Sequence, residues 1–224
     1  MSVLLGSFRG VLLAPRPIGR TIVLSILFPE QDRTFYPGRV NSSSPARDRL
    51  LEAATRLFYT EGIHAVGVDR IIAEGNVTRA TFYRHFPGKE DLVEAYVGVE
   101  DAAIRAAFDA ARATASDPRE IAEALIQGIA DDVARRHTRG CPFINAAAEY
   151  PDEGSGVRTA VREHREWFRG VLEEVARGVG HPDPAVAAGQ LVLLRDAALV
   201  GGYLDGWERV EDVFVSASRT VLGL

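Results

Sequence analysis

Cysteine is almost missing from this 224-residue chain: Cys141 is the only one. A disulfide framework within the chain is therefore excluded, and a reducing setting fits. Lysine is nearly absent as well. Of 26 basic residues only Lys89 is lysine, a bias of composition with no physical requirement behind it. There is no run of about 18 charge-free apolar residues, which excludes a multi-pass membrane protein. Strand signals are absent too, with no convincing pair of alternating segments and no internal repeat. What is present is an ordinary folded composition, 46% hydrophobic and 25% charged, which excludes a wholly disordered chain.

The net charge of −5 argues by itself against a nucleic-acid partner. Its distribution along the chain argues the other way. Residues 1–44 carry five arginines against Glu30 and Asp32, and residues 45–89 carry seven cations against five carboxylates. Residues 90–224 carry fourteen against twenty-four. A mildly basic front on an acidic body implies two tasks on one chain.

Residues 1–44 have short apolar runs cut by Arg9, Pro15, Arg16, Pro17, Arg20 and Pro29. A signal peptide needs one unbroken apolar stretch, so this segment reads as a poorly ordered tail. A basic arm onto DNA phosphates is the alternative.

From Ser44 onward the pattern is helical. Ser44-Pro45 supplies an N-cap and a first-turn proline, Leu50, Leu51, Ala54, Leu57 and Phe58 make an apolar stripe, and Gly62 ends the helix. Short helices are expected at about 68–75, burying Ile71 and Ile72, and at about 78–85. A further short one is expected at 143–149, and longer ones at 89–114, 118–136, 156–179, 184–206 and 212–224.

The informative stretch is Val66 to Glu90. Two short helices meet at Gly75-Asn76, where a helix-turn-helix needs positive φ, and Asn tolerates that region better than any residue but Gly. At 100° per residue Phe82 and Phe86 share one face and should pack with Leu57, Ile71 and Leu92. Ala80, Thr81, Tyr83, Arg84 and His85 occupy the other arc, with Arg79 at its edge and Thr78 as the cap. The rod is small enough for a major groove. Arg79 suits guanine, Thr81 and Tyr83 suit phosphate or a thymine methyl, and Lys89 adds charge at a helix N-terminus.

The sequence AEGNVTRATFYRHFPGKEDLVEAY resembles the DNA-binding signature of the TetR (tetracycline-repressor-like) transcriptional regulators, strongly over about residues 46–93. Asn76 stands where the family usually has Gly, and Gly67 where a hydroxyl cap is common. The resemblance implies an all-α chain: a three-helix head at 45–91 and an antiparallel helical body for ligand binding and dimerisation at 92–224. It places Arg79, Ala80, Thr81 and Tyr83 at base- or phosphate-facing positions on double-stranded DNA, with His85 and Lys89 clamping phosphate; Thr78 and Arg84 join the expected DNA-contact set from their place on the helix.

The body offers no catalytic grouping. His64, His85, His137, His164 and His181 do not pair at metal spacing, and no cofactor is expected. His164 beside Trp167 reads as a chance neighbour, Arg135-Arg136 near His137 as a solvated helix end, and Cys141 as small buried filler rather than a redox sensor. Residues 185–206 are apolar around most of a helix and need cover on several sides, with Phe214 and Val221 adding to the surface. The expected partner is a second copy, joined through helices 184–206 and 212–224. The resemblance also implies an effector pocket, walled by Ile104, Phe108, Leu125, Phe143, Ile144, Tyr150 and Trp167 and suited to a hydrophobic small molecule. The resulting expectation is a cytoplasmic, nucleoid-associated homodimeric repressor released from a palindromic operator, with activator as the finer alternative. The main rival is a helical binding protein or enzyme whose front domain docks a partner. The stretch RGCPFINAAAEY, residues 139–150, has no assignment from sequence.

Overall fold

A computed structural model describes residues 44–224. The tail expected at the front, or the basic arm, lies outside the described residues. Among those described, nine helices run in order: α1 Pro45–Glu61, α2 Val68–Glu74, α3 Arg79–His85, α4 Lys89–Thr114, α5 Pro118–Arg135, α6 Pro142–Glu149, α7 Gly156–Gly178, α8 Pro184–Asp205 and α9 Trp207–Leu222. No strand occurs among them.

The ends follow local chemistry. The Ser44, Thr78, Asp117, Ser155 and Asp183 side chains each accept a backbone N–H in the first turn of the helix that follows. Gly62, at φ 95°, closes α1. Asn76 sits at φ 47°, the one non-glycine residue of positive φ among those described, and makes the turn between α2 and α3.

Leu50, Leu57, Ile71, Phe82, Phe86 and Leu92 are all buried in one apolar cluster, which fastens the head (α1–α3) to the start of α4. Ile72 is only half-buried, against expectation, because its neighbour Ile71 takes the inward direction.

The body is an antiparallel bundle in which α8 packs between α7 and α9, α4 on α7, and α5 on α9. The last helix starts at Trp207, five residues earlier than expected. Gly206 at φ 90° turns the chain at a single residue, so α9 begins directly after it. Phe214, expected on the partner surface, is buried inside the protomer, and Val213 points out instead. Gly202 is needed where it stands: a Cβ there would lie 2.9 Å from Val133 Cγ1 of α5.

Helix α8 has the length and apolarity to cross a membrane on composition alone. It packs on α7 and α9 along part of its surface, and Arg195 and Asp196 stand in its middle. Such a pair is costly in lipid and ordinary in a packed bundle.

Candidate DNA-contact surface and effector cavity

Helix α3 has seven residues and is about 10 Å long. Phe82 and Phe86 anchor it in the core, 6.1 Å apart between ring centres. With those two inward, Arg79, Ala80, Tyr83 and Arg84 are exposed and Thr81 is half-exposed. The Tyr83 ring leans edge-on against Phe82, so its direction is fixed although half of it meets solvent. Thr78 is exposed but its Oγ accepts the Thr81 N–H at 3.1 Å, which makes it a cap first.

Three of the basic candidates are tethered. The Arg79 guanidinium is held by the Asp69 carboxylate of α2. His85 Nε2 lies 2.9 Å from Ser44 Oγ, which also caps α1. Lys89 Nζ lies 6.0 Å over the Phe58 ring, and burial lowers its pKa. Arg84 is exposed with no such tether.

The body holds a cavity of about 70 Å³ between α4, α5, α7 and α8. Ile104, Phe108, Leu125 and Trp167 line it. Phe143, Ile144 and Tyr150 do not. Phe143 is stacked on His164 at 3.6 Å in the core, Ile144 is half-buried against that core, and Tyr150 lies beside His64 at the head. All three belong to α6 or its end, and α6 packs on α7 and α4 away from the cavity lining. Arg195, Arg136, Asp132, Phe168 and Val171 also line the cavity, beyond the residues expected from sequence. A charged pair at 195–196 in an otherwise apolar helix is the one sequence signal that points to them.

Arg135 is exposed and Arg136 half-buried at the end of α5, whereas the neighbouring His137 turns inward. It is buried, with Nδ1 2.6 Å from Asp132 Oδ2 and Nε2 3.2 Å from Glu100 Oε2. Burial opposes its charge, yet the two carboxylates outweigh burial and raise its pKa to about 9. Arg136 stands 3.6 Å from the same Glu100. His164 is also more than a neighbour of Trp167: it is buried, with Nδ1 2.8 Å from Asp101 Oδ1, and burial lowers its pKa. Cys141 is buried as expected, and Arg195 Nη1 donates to its sulfur at 3.3 Å.

The unassigned stretch 139–150 clamps the head at two points. Tyr59 of α1 donates its hydroxyl to the Gly140 carbonyl at 3.1 Å and accepts the Arg139 N–H at 2.7 Å. At the other end of α6, the Glu149 carboxylate accepts the Ile63 and His64 backbone N–H groups. Tyr59 also packs edge-on against His137, 5.7 Å between ring centres. A chain of contacts thus runs from the cavity residue Asp132 through His137 to the head.

Among the described residues, a helix-turn-helix head on an all-helical, cavity-bearing bundle is the architecture of a DNA-binding regulator. Residues 50–96 match the family model for bacterial regulatory proteins of the tetR family, and residues 118–205 match a tetracyclin repressor-like C-terminal domain. The chain is 30% identical over 166 residues to the HTH-type transcriptional regulator LmrA of Bacillus subtilis, covering 73% of this chain and 87% of that protein. It is 27% identical over 197 residues to the HTH-type transcriptional repressor BepR of Brucella suis, covering 80% and 90%. A crystal structure of a TetR-family transcriptional regulator from Streptomyces coelicolor superposes with TM-score 0.77 at 46% identity, over 81% of this chain and 96% of that one. The chain belongs to the TetR family: it is a DNA-binding transcriptional regulator and not an enzyme.

Proposed function

We propose that the protein is a homodimeric repressor that leaves a palindromic operator when a small molecule enters the cavity between α4, α5, α7 and α8. The observation that carries this reading is the exposed arc of α3, held outward by the two buried phenyl rings. Thr81, Tyr83, Ala80 and Arg84 read the groove. Arg79 reaches a base once it exchanges Asp69 for DNA, and Thr78, His85 and Lys89 line the phosphate side.

The second copy joins through α8 and α9. Val186, Leu193, Val200 and Leu204 leave an apolar stripe along one side of α8, and Val213 continues it on α9. Two recognition helices about one duplex turn apart, roughly 34 Å, then meet successive half-sites. A ligand that prefers the DNA-free spacing shifts the population away from it, whereas equal affinity for both states shifts nothing. The relative BepR is named a repressor, which favours repression over activation. A regulator working on DNA acts in the cytoplasm, on the nucleoid.

Band-shift titrations on the DNA upstream of its own gene test the reading. Binding should favour a palindrome over scrambled sequence of equal length and fall steeply with salt as phosphate contacts release counterions. Equal binding to scrambled DNA would support the rival, a binding protein whose front domain docks a partner.

A further inference from the structure

The cavity has two unlike ends. Its wall is apolar along Ile104, Phe108, Leu125, Ile129, Trp167 and Val171, and its polar lining is Asp132, Arg136 and Arg195. Arg195 is buried, and both of its hydrogen bonds, to Cys141 Sγ and Asp196 Oδ1, use Nη1. Its Nε and Nη2 have no acceptor among the described residues. Arg136 contributes a guanidinium whose Nη2 lies 3.6 Å from Glu100, beyond hydrogen-bond reach.

The charges around this end do not cancel. Arg136, Arg165, Arg195 and the protonated His137 face Asp132, Asp196 and Glu100. Asp132, the one carboxylate in the lining, is already engaged by His137 at 2.6 Å, and Asp196 is shared between Arg165 and Arg195. One positive charge is left over in a partly buried site that also holds unused N–H donors. Such a site gains from an anion and loses from a cation.

Resting on the cavity as the effector site, we propose that the effector is an amphipathic monoanion, a carboxylic acid with a slender apolar tail. Its carboxylate takes N–H donors from Arg195 and Arg136, and its tail runs along Phe108, Trp167 and Ile104. The small volume, about 70 Å³, favours a short tail.

Calorimetric titration of the full-length protein at pH 7 with hexanoate, hexanamide and hexylamine tests this. Hexanoate should bind about tenfold or more tightly than hexanamide, the usual gain of a charge-assisted hydrogen bond, and hexylamine most weakly. Arg195→Gln should erase the preference for hexanoate. Because Arg195 also holds Asp196 and Cys141, its replacement can unfold the body. Arg136→Gln, half-buried at the end of α5, is the second variant and should cut hexanoate affinity several-fold in a protein of unchanged circular dichroism. Hexanamide binding as well as hexanoate, or hexylamine binding best, overturns the anion while leaving the cavity as the effector site. Hexanoate binding that ignores both substitutions places it elsewhere and also overturns the proposal. Silence from all three probes overturns the proposal together with the cavity reading.

Discussion

Tyr83 and His137 show how differently a single residue declares itself. Tyr83 lies between Phe82 and Arg84 on a rod whose inward face is fixed by two aromatics, so its outward direction follows from spacing. Tyr83→Ala should therefore lower operator affinity by about 1–3 kcal/mol while leaving the melting temperature within a degree or two. A melting temperature that falls sharply would mean that the ring belongs to the core. His137 follows from no local pattern, because its partners Asp132 and Glu100 come from α5 and α4, five and thirty-seven residues away. Its folded pKa, about 9, lies above the unfolded value of about 6.5. The stability it contributes is thus fully present below about pH 6.5 and is lost as pH rises through about 9. Thermal melts of wild type and His137→Asn across pH 6 to 10 should differ most at the acid end and converge at the alkaline end. Curves that stay parallel would show that the charge is not held there.

At the scale of elements, legibility depends on how local the cause is. Boundaries set by caps and glycines can be read from the residues themselves: α4 spans Lys89–Thr114 and α5 begins at Pro118, as the sequence pattern predicts. The start of α9 escapes such a reading because Gly206 makes a turn without a loop. Apolar positions on α4, α5 and α7 announce half of the cavity wall, whereas its charged end arises only when α8 is folded over it. Helix α6 is opaque in sequence, since its task is to join two distant segments. Glu149 receives two N–H groups from the α1–α2 connection, and Tyr59 is tied at the other end. Glu149→Ala leaves those donors to solvent and should destabilise the head by about 1–3 kcal/mol. Amide exchange should speed up across residues 62–67 while the body's α7 and α8 keep their protection. Uniform acceleration throughout would mean that head and body open as one unit, without a separable clamp.

For the whole molecule the decisive quantity is the apolar surface that one copy leaves uncovered. Leu193 is 70% exposed, Leu204 68% and Val213 67%, all on the adjacent helices α8 and α9. Burying such side chains gives about 1.5–3 kcal/mol each at full burial, so a few pairs across a two-fold axis suffice for a stable dimer. Along α8 the exposed residues Val186, Leu193, Val200 and Leu204 recur at spacings of seven, seven and four, which keeps them on one side of the helix. Leu193→Glu places a charge within that exposed set, and so within the proposed dimer interface. The protomer already exposes Leu193, so its fold should survive with circular dichroism unchanged. Light scattering after gel filtration should show the mass falling from twice 24.4 kDa to the monomer value. Operator affinity should fall far more than for Tyr83→Ala, because the second half-site ceases to be an intramolecular event and its effective concentration is lost. A variant that stays dimeric would place the partner surface elsewhere. A monomer that binds the operator as tightly as wild type would remove the need for two-fold readout.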